Sequence, residues 1–208
     1  MPDIDMGHAE ERATDVAVGR RDNGAGALPK LARALRFAAA KHRRQRRKDA
    51  DASPYINHPI DLLSILSEEG DVDCPDVLCA ALLHDTIEDT DTSVEELRRT
   101  FGPRVSEIVV AVSDDKTLPK QERKRRQIQH AASARQEARL VKLADKIANL
   151  RDLQEYPPRD WDNARRLAYC NWALEVIDQL RGTHPGLEHL FDIAHARCVA
   201  MFAAVDDA

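Results

Sequence analysis

The six residues His84-Asp85-Thr86-Ile87-Glu88-Asp89 combine one imidazole with three carboxylates. They directly follow the apolar run Val77-Leu78-Cys79-Ala80-Ala81-Leu82-Leu83, which holds no Gly or Pro and predicts a buried helix. If that helix continues through them, His84 and Glu88 share one face and Asp85 and Asp89 the next. Ionisable groups gathered at the end of a buried helix are destabilising without compensation. A bound cation is the simplest compensation. The plainer alternative is an exposed acidic helix end with an incidental histidine.

Two further segments can complete a ligand set. His58 lies in Tyr55-Ile56-Asn57-His58-Pro59, near a helix start that Asn57 can cap and whose first turn suits Pro59. Asp145 lies in a predicted helix over 137–154, where Ala138, Val141, Ala144, Ile147 and Ala148 recur at helical spacing. That helix also carries Lys142, Lys146 and Asn149. Alone, Asp145 reads as the partner of a neighbouring lysine. Together, His58, His84, Asp85 and Asp145 offer two imidazoles and two carboxylates from three predicted helices. Without a thiolate the set is harder than a structural zinc site and suits manganese or iron, with magnesium, cobalt or zinc possible. Four protein ligands on a six-coordinate ion leave room for water and a phosphate oxygen, which is the arrangement for metal-assisted hydrolysis. Glu88 and Asp89 lie one turn beyond, free to position or deprotonate the attacking water.

The elements that must hold these residues are helical. Of the 208 residues 43 % are hydrophobic but only 4 % aromatic, so the core is Ala, Leu, Ile and Val packed between helices. Gly is scarce and period-two alternation is rare, which points to an all-α fold of about nine or ten helices. Residues 1–28 show no sustained apolar period and are expected to be a disordered tail, leaving 29–205 as one domain. A helical pattern begins at Pro29, and Gly70-Asp71 breaks the helix that follows His58. Thr92 or Ser93, with Glu95 or Glu96 three residues on, forms a capping box for a helix over Val94 to Phe101. Further helices are expected from Arg104 to Val112, from Lys120, from Asp160 onwards through Trp161, and from Leu187 to about Val205.

A net charge of −5 disfavours a nucleic-acid partner, which would need a basic surface. No apolar run approaches the ~18 residues of a membrane span, so no membrane partner is expected. The charged N-terminus is not a signal peptide, and the cytoplasm is the expected compartment. Cys74, Cys79, Cys170 and Cys198 form no C-x-x-C pair and read as reduced core residues. Two basic clusters stand out. Lys41 to Lys48 is a solvated helix end, a localisation patch or an anion clamp beside His84, a task suited to the arginine fork. Lys120 to Arg126 is equally well a solvated face or a functional one.

His58, His84-Asp85 and Asp145 resemble the H…HD…D signature of the HD phosphohydrolase superfamily. Several longer segments resemble the hydrolase domain of RelA/SpoT homologues: Arg47-Lys48, Tyr55 to Pro59, His84 to Thr92, Phe101-Gly102, Leu140 to Lys146, and Asn149-Leu150-Arg151. Asp114 to Lys120 is similar to the single-domain branch, the small alarmone hydrolases of the animal-enzyme type. The resemblance spans about Leu31 to about Leu190. Ile87 departs from it only slightly, since relatives often carry Val there. It implies an all-α HD-domain helical bundle that removes the 3′-pyrophosphate of ppGpp or pppGpp, with Mn2+ preferred. By motif position, His58, His84, Asp85 and Asp145 would bind the metal and Glu88 and Asp89 would activate water. Asn149 would contact the nucleotide near the metal, Arg47 and Lys48 would line the guanosine side, and Lys120 and Arg165 would make outer phosphate contacts. The chain is expected to be too short for the synthetase and regulatory domains of the long homologues. Alternatives are an NADPH 2′-phosphatase on the same site and a module that senses the alarmone without cleaving it. The Glu88-Asp89 pair speaks against the second. A 5′-nucleotidase or cyclic-nucleotide phosphodiesterase is disfavoured by Arg47-Lys48 and Glu88-Asp89.

Overall fold

The computed structural model describes residues 26–203. Among them run ten α-helices and no strand. The first two are α1 (Ala27–Lys41) and α2 (Asn57–Ser64), the latter continued by a π-helical turn over Ile65–Glu69. Then come α3 (Pro75–Leu83), α4 (Thr86–Asp89), α5 (Val94–Phe101) and α6 (Pro103–Val112). The last four are α7 (Lys120–Ala131), α8 (Gln136–Glu155), α9 (Asn163–Asp178) and α10 (Pro185–Ala203). The fold is all-α, as the composition predicts.

α3 is the hub. Every residue from Val77 to Leu83 is buried, because α1, α2, α6 and α8 all pack against it. A helix that is apolar all round can only be stable in that position. α8, twenty residues long, crosses α2 and α3 and buries Leu140, Leu143, Ala144, Ile147 and Leu150. This crossing brings the middle of α8 to the end of α3 and the start of α2. α10 closes the bundle over α8 and α9. A Cβ on Gly70 would stand 2.8 Å from Leu187 Cδ2 and 3.0 Å from the Leu66 carbonyl oxygen. Glycine is therefore what lets the start of α10 settle on the π-helical turn.

Several boundaries differ from the sequence expectation. The most consequential is the end of α3. The helix does not run on through the acidic motif: it stops after Leu83, and Asp85 takes φ −96° and ψ 0°. That is the bridge region, used by turns and by many functional residues. The Thr86 hydroxyl donates to the Leu83 carbonyl at 2.7 Å and secures the kink. Glu88 and Asp89 then sit on the separate short helix α4, so the shared helix faces inferred for the motif do not exist. α1 starts at Ala27, two residues before Pro29. Asn57 is the first residue of α2 and makes no side-chain cap. α9 starts at Asn163 rather than Asp160, because the Asp162 side chain accepts from the Arg165 N–H and caps it, leaving Trp161 in the preceding loop. α10 begins at Pro185. Ser93 caps α5 by accepting from the Glu96 N–H at 3.1 Å, which is one arm of the predicted capping box. Cys79, Cys170 and Cys198 are buried, Cys74 only partly, and all four are free thiols. The expected tail lies outside the described residues up to position 25, as does the chain after 203. No helix among the described residues is long and apolar enough to cross a membrane.

Candidate active site

Ligand-competent atoms of His58, His84 and Asp145 all lie within 4.8 Å of one another. They come from the first turn of α2, the residue just past α3 and the middle of α8. His84 Nδ1 donates to the Ala81 carbonyl at 2.8 Å. In the neutral ring this fixes the lone pair on Nε2. Nε2 is buried and has no hydrogen-bond partner, although Asp85 Oδ2 is 2.9 Å away in poor alignment. His58 Nε2 is 3.3 Å from Asp145 Oδ1, and His58 Nδ1 is likewise buried without a partner. Imidazole nitrogens and a carboxylate oxygen thus converge, the Asp145 carboxylate also accepting from Lys146 and Asn149. This is what a divalent cation requires, and imidazole with carboxylate is a donor set that fits one.

The electrostatics agree. Burial pulls His58 below the ordinary histidine range, which keeps it neutral and able to ligate. Burial also disfavours charge on His84, but the Asp85 carboxylate outweighs it and raises His84 to about 9. The same field that holds a proton on His84 would attract a metal, so the two compete. Asp145 is half-buried, yet Lys146 and the two histidines hold it well below the usual carboxylate range. Lys146 Nζ donates to Asp145 Oδ2 at 2.7 Å, and Asn149 Nδ2 donates to Oδ1 at 2.6 Å. Asp145 is therefore paired, with Lys146 rather than Lys142 as its partner, and is also one of the three groups able to hold a metal ion. Asp85 stands slightly apart from the triad. Its Oδ2 accepts the Tyr55 hydroxyl, and burial together with that carboxylate pushes the Tyr55 pKa up, which keeps the hydroxyl a donor.

Glu88 and Asp89 line the same chamber of about 230 Å³. Glu88 Oε2 accepts the Asp114 N–H at 3.1 Å, and Arg123 lies 3.6 Å from Oε1. Burial raises Glu88 to about 7. Asp89 accepts from Gln45 Nε2 at 2.7 Å and from Lys116. Lys142 opens on this chamber as well, its amine lowered by burial and by Lys146.

A second chamber of about 280 Å³ shares Tyr55, Asp89 and Asn149 with the first. Arg47, Lys48, Trp161 and Tyr169 line it. Arg47 pairs with Asp152 and lies over the Tyr55 ring, 5.8 Å from its centroid. A third hollow, about 440 Å³, gathers Lys48, Lys120, Arg123, Lys124 and Arg165. These cations stand close enough that burial and the charges of Arg165, Lys48 and Arg123 lower Lys120. Arg165 stacks over Trp161 at 4.6 Å. The structure thus brings all eleven residues singled out in the sequence to one three-part cleft. It adds Gln45, Tyr55, Gln127, Trp161 and Tyr169. Only Tyr55 lay inside a recognised segment. Tyr169 carried a weak signal, one helical turn after Arg165.

The structure is of the class of all-α bundles that gather His, His-Asp and Asp side chains able to hold a metal ion. A family model described as HD domain matches residues 34–169, and the chain belongs to that family. The chain is similar to proteins named guanosine-3′,5′-bis(diphosphate) 3′-pyrophosphohydrolase MESH1. The Xenopus tropicalis protein is 54 % identical over 159 residues, 76 % of this chain and 89 % of that one. The Homo sapiens protein is 51 % identical over 165 residues, 77 % of this chain and 92 % of that one. A solved structure described as a metazoan ortholog of SpoT that hydrolyses ppGpp matches with a TM-score of 0.79 at 50 % identity, covering 81 % of this chain and 94 % of that one.

Proposed function

We propose that this chain hydrolyses the 3′-pyrophosphate of ppGpp and pppGpp, giving GDP or GTP and intact pyrophosphate, with Mn2+ as its metal. The observation that carries the proposal is the convergence of His58, His84 and Asp145 beside a basic, aromatic cleft. The names of the relatives agree with it and favour it over NADPH 2′-phosphate.

His58, His84, Asp85 and Asp145 would hold the ion. When bound, the ion supplies Lewis-acid polarisation of the phosphoryl group and a more acidic water. In the reaction, water oxygen bonds to the 3′-linked phosphorus, the bond to the ribose O3′ breaks, and O3′ leaves with a proton. Glu88, near 7, is matched to taking the water proton at neutral pH. Asp89 orients the same water from its fixed carboxylate. Tyr55 anchors Asp85, while Lys146 and Asn149 anchor Asp145. Asn149 also lies on the wall between the two chambers, next to the nucleotide. Arg47 and Lys48 face the guanosine, and Lys120 and Arg165 face the outer phosphates. A nucleotide with four or five phosphates can bind an acidic protein through such local cations and a metal. The proposed compartment is the cytoplasm, whose reducing conditions suit four free thiols.

The test is turnover of ppGpp and NADPH side by side, with Mn2+ and then with chelator. Mn2+-dependent pyrophosphate release from ppGpp is the expected result. Phosphate released from NADPH with ppGpp untouched would replace the substrate, and silence on both would replace the enzyme with a binding module.

A further inference from the structure

Asp89 is gripped from two sides. Lys116 donates to Oδ1, but its side chain is 48 % exposed. A long exposed lysine orients a carboxylate poorly. The other grip is different in kind. Gln45 Nε2 donates to Oδ2 at 2.7 Å from the loop after α1. Gln45 is itself held at four points. Its N–H donates to the His42 carbonyl at 2.9 Å, and its carbonyl accepts the Tyr55 N–H at 3.2 Å. Its side-chain Oε1 lies 2.6 Å from His42 Nδ1, and its amide reaches Asp89.

Donor and acceptor rules set the direction of this chain. A carboxylate only accepts, so the amide nitrogen of Gln45 must face Asp89 and its oxygen must face His42. His42 Nδ1 therefore carries the hydrogen. His42 is 2 % exposed, and its Nε2 is buried with no partner. Its ring packs against Tyr55 at 4.9 Å, the tyrosine that anchors Asp85. A buried histidine with one ring nitrogen unsatisfied is destabilising in itself. Its other nitrogen is aimed at Gln45, the one hydrogen bond that its ring makes among the described residues.

We propose that Gln45, oriented by His42, is a positioning residue that fixes the Asp89 carboxylate for the reaction. The inference rests on the role proposed above for Asp89. Without Gln45, the half-exposed Lys116 ammonium is the remaining side-chain donor to Asp89 and draws it toward solvent. Gln45 also lines the nucleotide chamber, so the relay joins the wall of the substrate site to the group that handles water.

The test uses the full-length protein, ppGpp and Mn2+. Gln45→Ala should lower kcat about ten- to a hundredfold, the scale of one charge-assisted hydrogen bond, with KM changed less than threefold. Gln45→Glu should lower kcat at least as far, because it sets an acceptor against an acceptor. His42→Ala should reproduce the loss, and His42→Asn, whose Nδ2 can stand in for Nδ1, should recover most of it. The Gln45→Ala effect should vanish in an Asp89→Ala background, measured by radiolabel at high enzyme concentration. Mn2+ affinity separates positioning from damage to the site and should stay at its wild-type value in Gln45→Ala, while the melting temperature should fall modestly, because His42 Nδ1 loses its buried partner. A kcat within threefold of wild type in Gln45→Ala, with Asp89→Ala inactive, overturns the relay. So does a Gln45→Ala loss that persists undiminished without Asp89. Wild-type turnover in Asp89→Ala overturns the role of Asp89 itself, and the relay with it.

Discussion

On the metal side of the cleft, His58, His84 and Asp145 come from α2, the end of α3 and the middle of α8, helices that pack directly on one another. On the nucleotide side, Arg47, Lys48 and Trp161 sit on two loops, one after α1 and one before α9. The loops are tied to each other: the Arg159 N–H donates to the Lys48 carbonyl at 3.3 Å and its guanidinium to the Ala50 carbonyl. The metal side is dense with acids and buried imidazoles, and its position is set by core packing. The nucleotide side is basic, aromatic and wider. Under the roles proposed above, the metal ligands are placed by packed helices and the guanosine contacts Arg47 and Lys48 by a loop, which can be altered without disturbing the core. The two sides should respond to mutation in different kinetic constants.

The largest effect is expected from the metal side. His84→Ala should abolish Mn2+ binding in a metal titration and lower turnover on the order of a thousandfold or more, since a metal supplies several kcal/mol of transition-state stabilisation. Next comes the acid pair. A Glu88→Ala, Asp89→Ala double variant should retain Mn2+ and lose turnover about 10²- to 10⁴-fold, the range of general acid–base catalysis. Retained turnover would remove both residues from the role of handling water. On the nucleotide side, Arg47→Ala should raise KM about tenfold, with kcat within about threefold, as for loss of a charge-assisted contact. A loss confined to kcat would erase the division between the two sides.

The smallest effect is one of pH. Burial raises Glu88 from the ordinary glutamate value of 4.5 to about 7, so its basic form accumulates only above that point. Activity should rise with pH along an acid limb, and Glu88→Gln should flatten it at a lower plateau. The sign for stability is opposite. The folded protein binds this proton more tightly than the unfolded chain, so the contribution is complete below 4.5 and is lost as pH rises through about 7. In the metal-free protein, the melting temperature of wild type relative to Glu88→Gln should therefore fall between those pH values.

The sequence revealed the metal side more completely than the nucleotide side. His58, His84-Asp85 and Asp145 are legible as a set, because together they form a donor group that resembles the H…HD…D signature, although Asp145 alone reads as a lysine's partner. The helix faces inferred for the acidic motif were wrong, because periodicity cannot register a kink held by one Thr86 hydroxyl. Trp161 and Tyr169 were passed over because aromatic residues at helical spacing read equally well as core. Gln45 was lost inside a basic run, since a neutral amide among arginines carries no signal until Asp89 lies beside it. Asp162 took the cap from Asp160 because only its side chain reaches the Arg165 N–H. The role of Gln45 depended on a contact 44 residues away in the chain, which no local pattern carries.

The most direct test of the account is isotopic. The protein is incubated with ppGpp and Mn2+ in H2¹⁸O, and the products are analysed by mass. Attack of water on the 3′-linked phosphorus predicts one ¹⁸O in pyrophosphate and none in GDP. Label in GDP, or single phosphates in place of pyrophosphate, would contradict it.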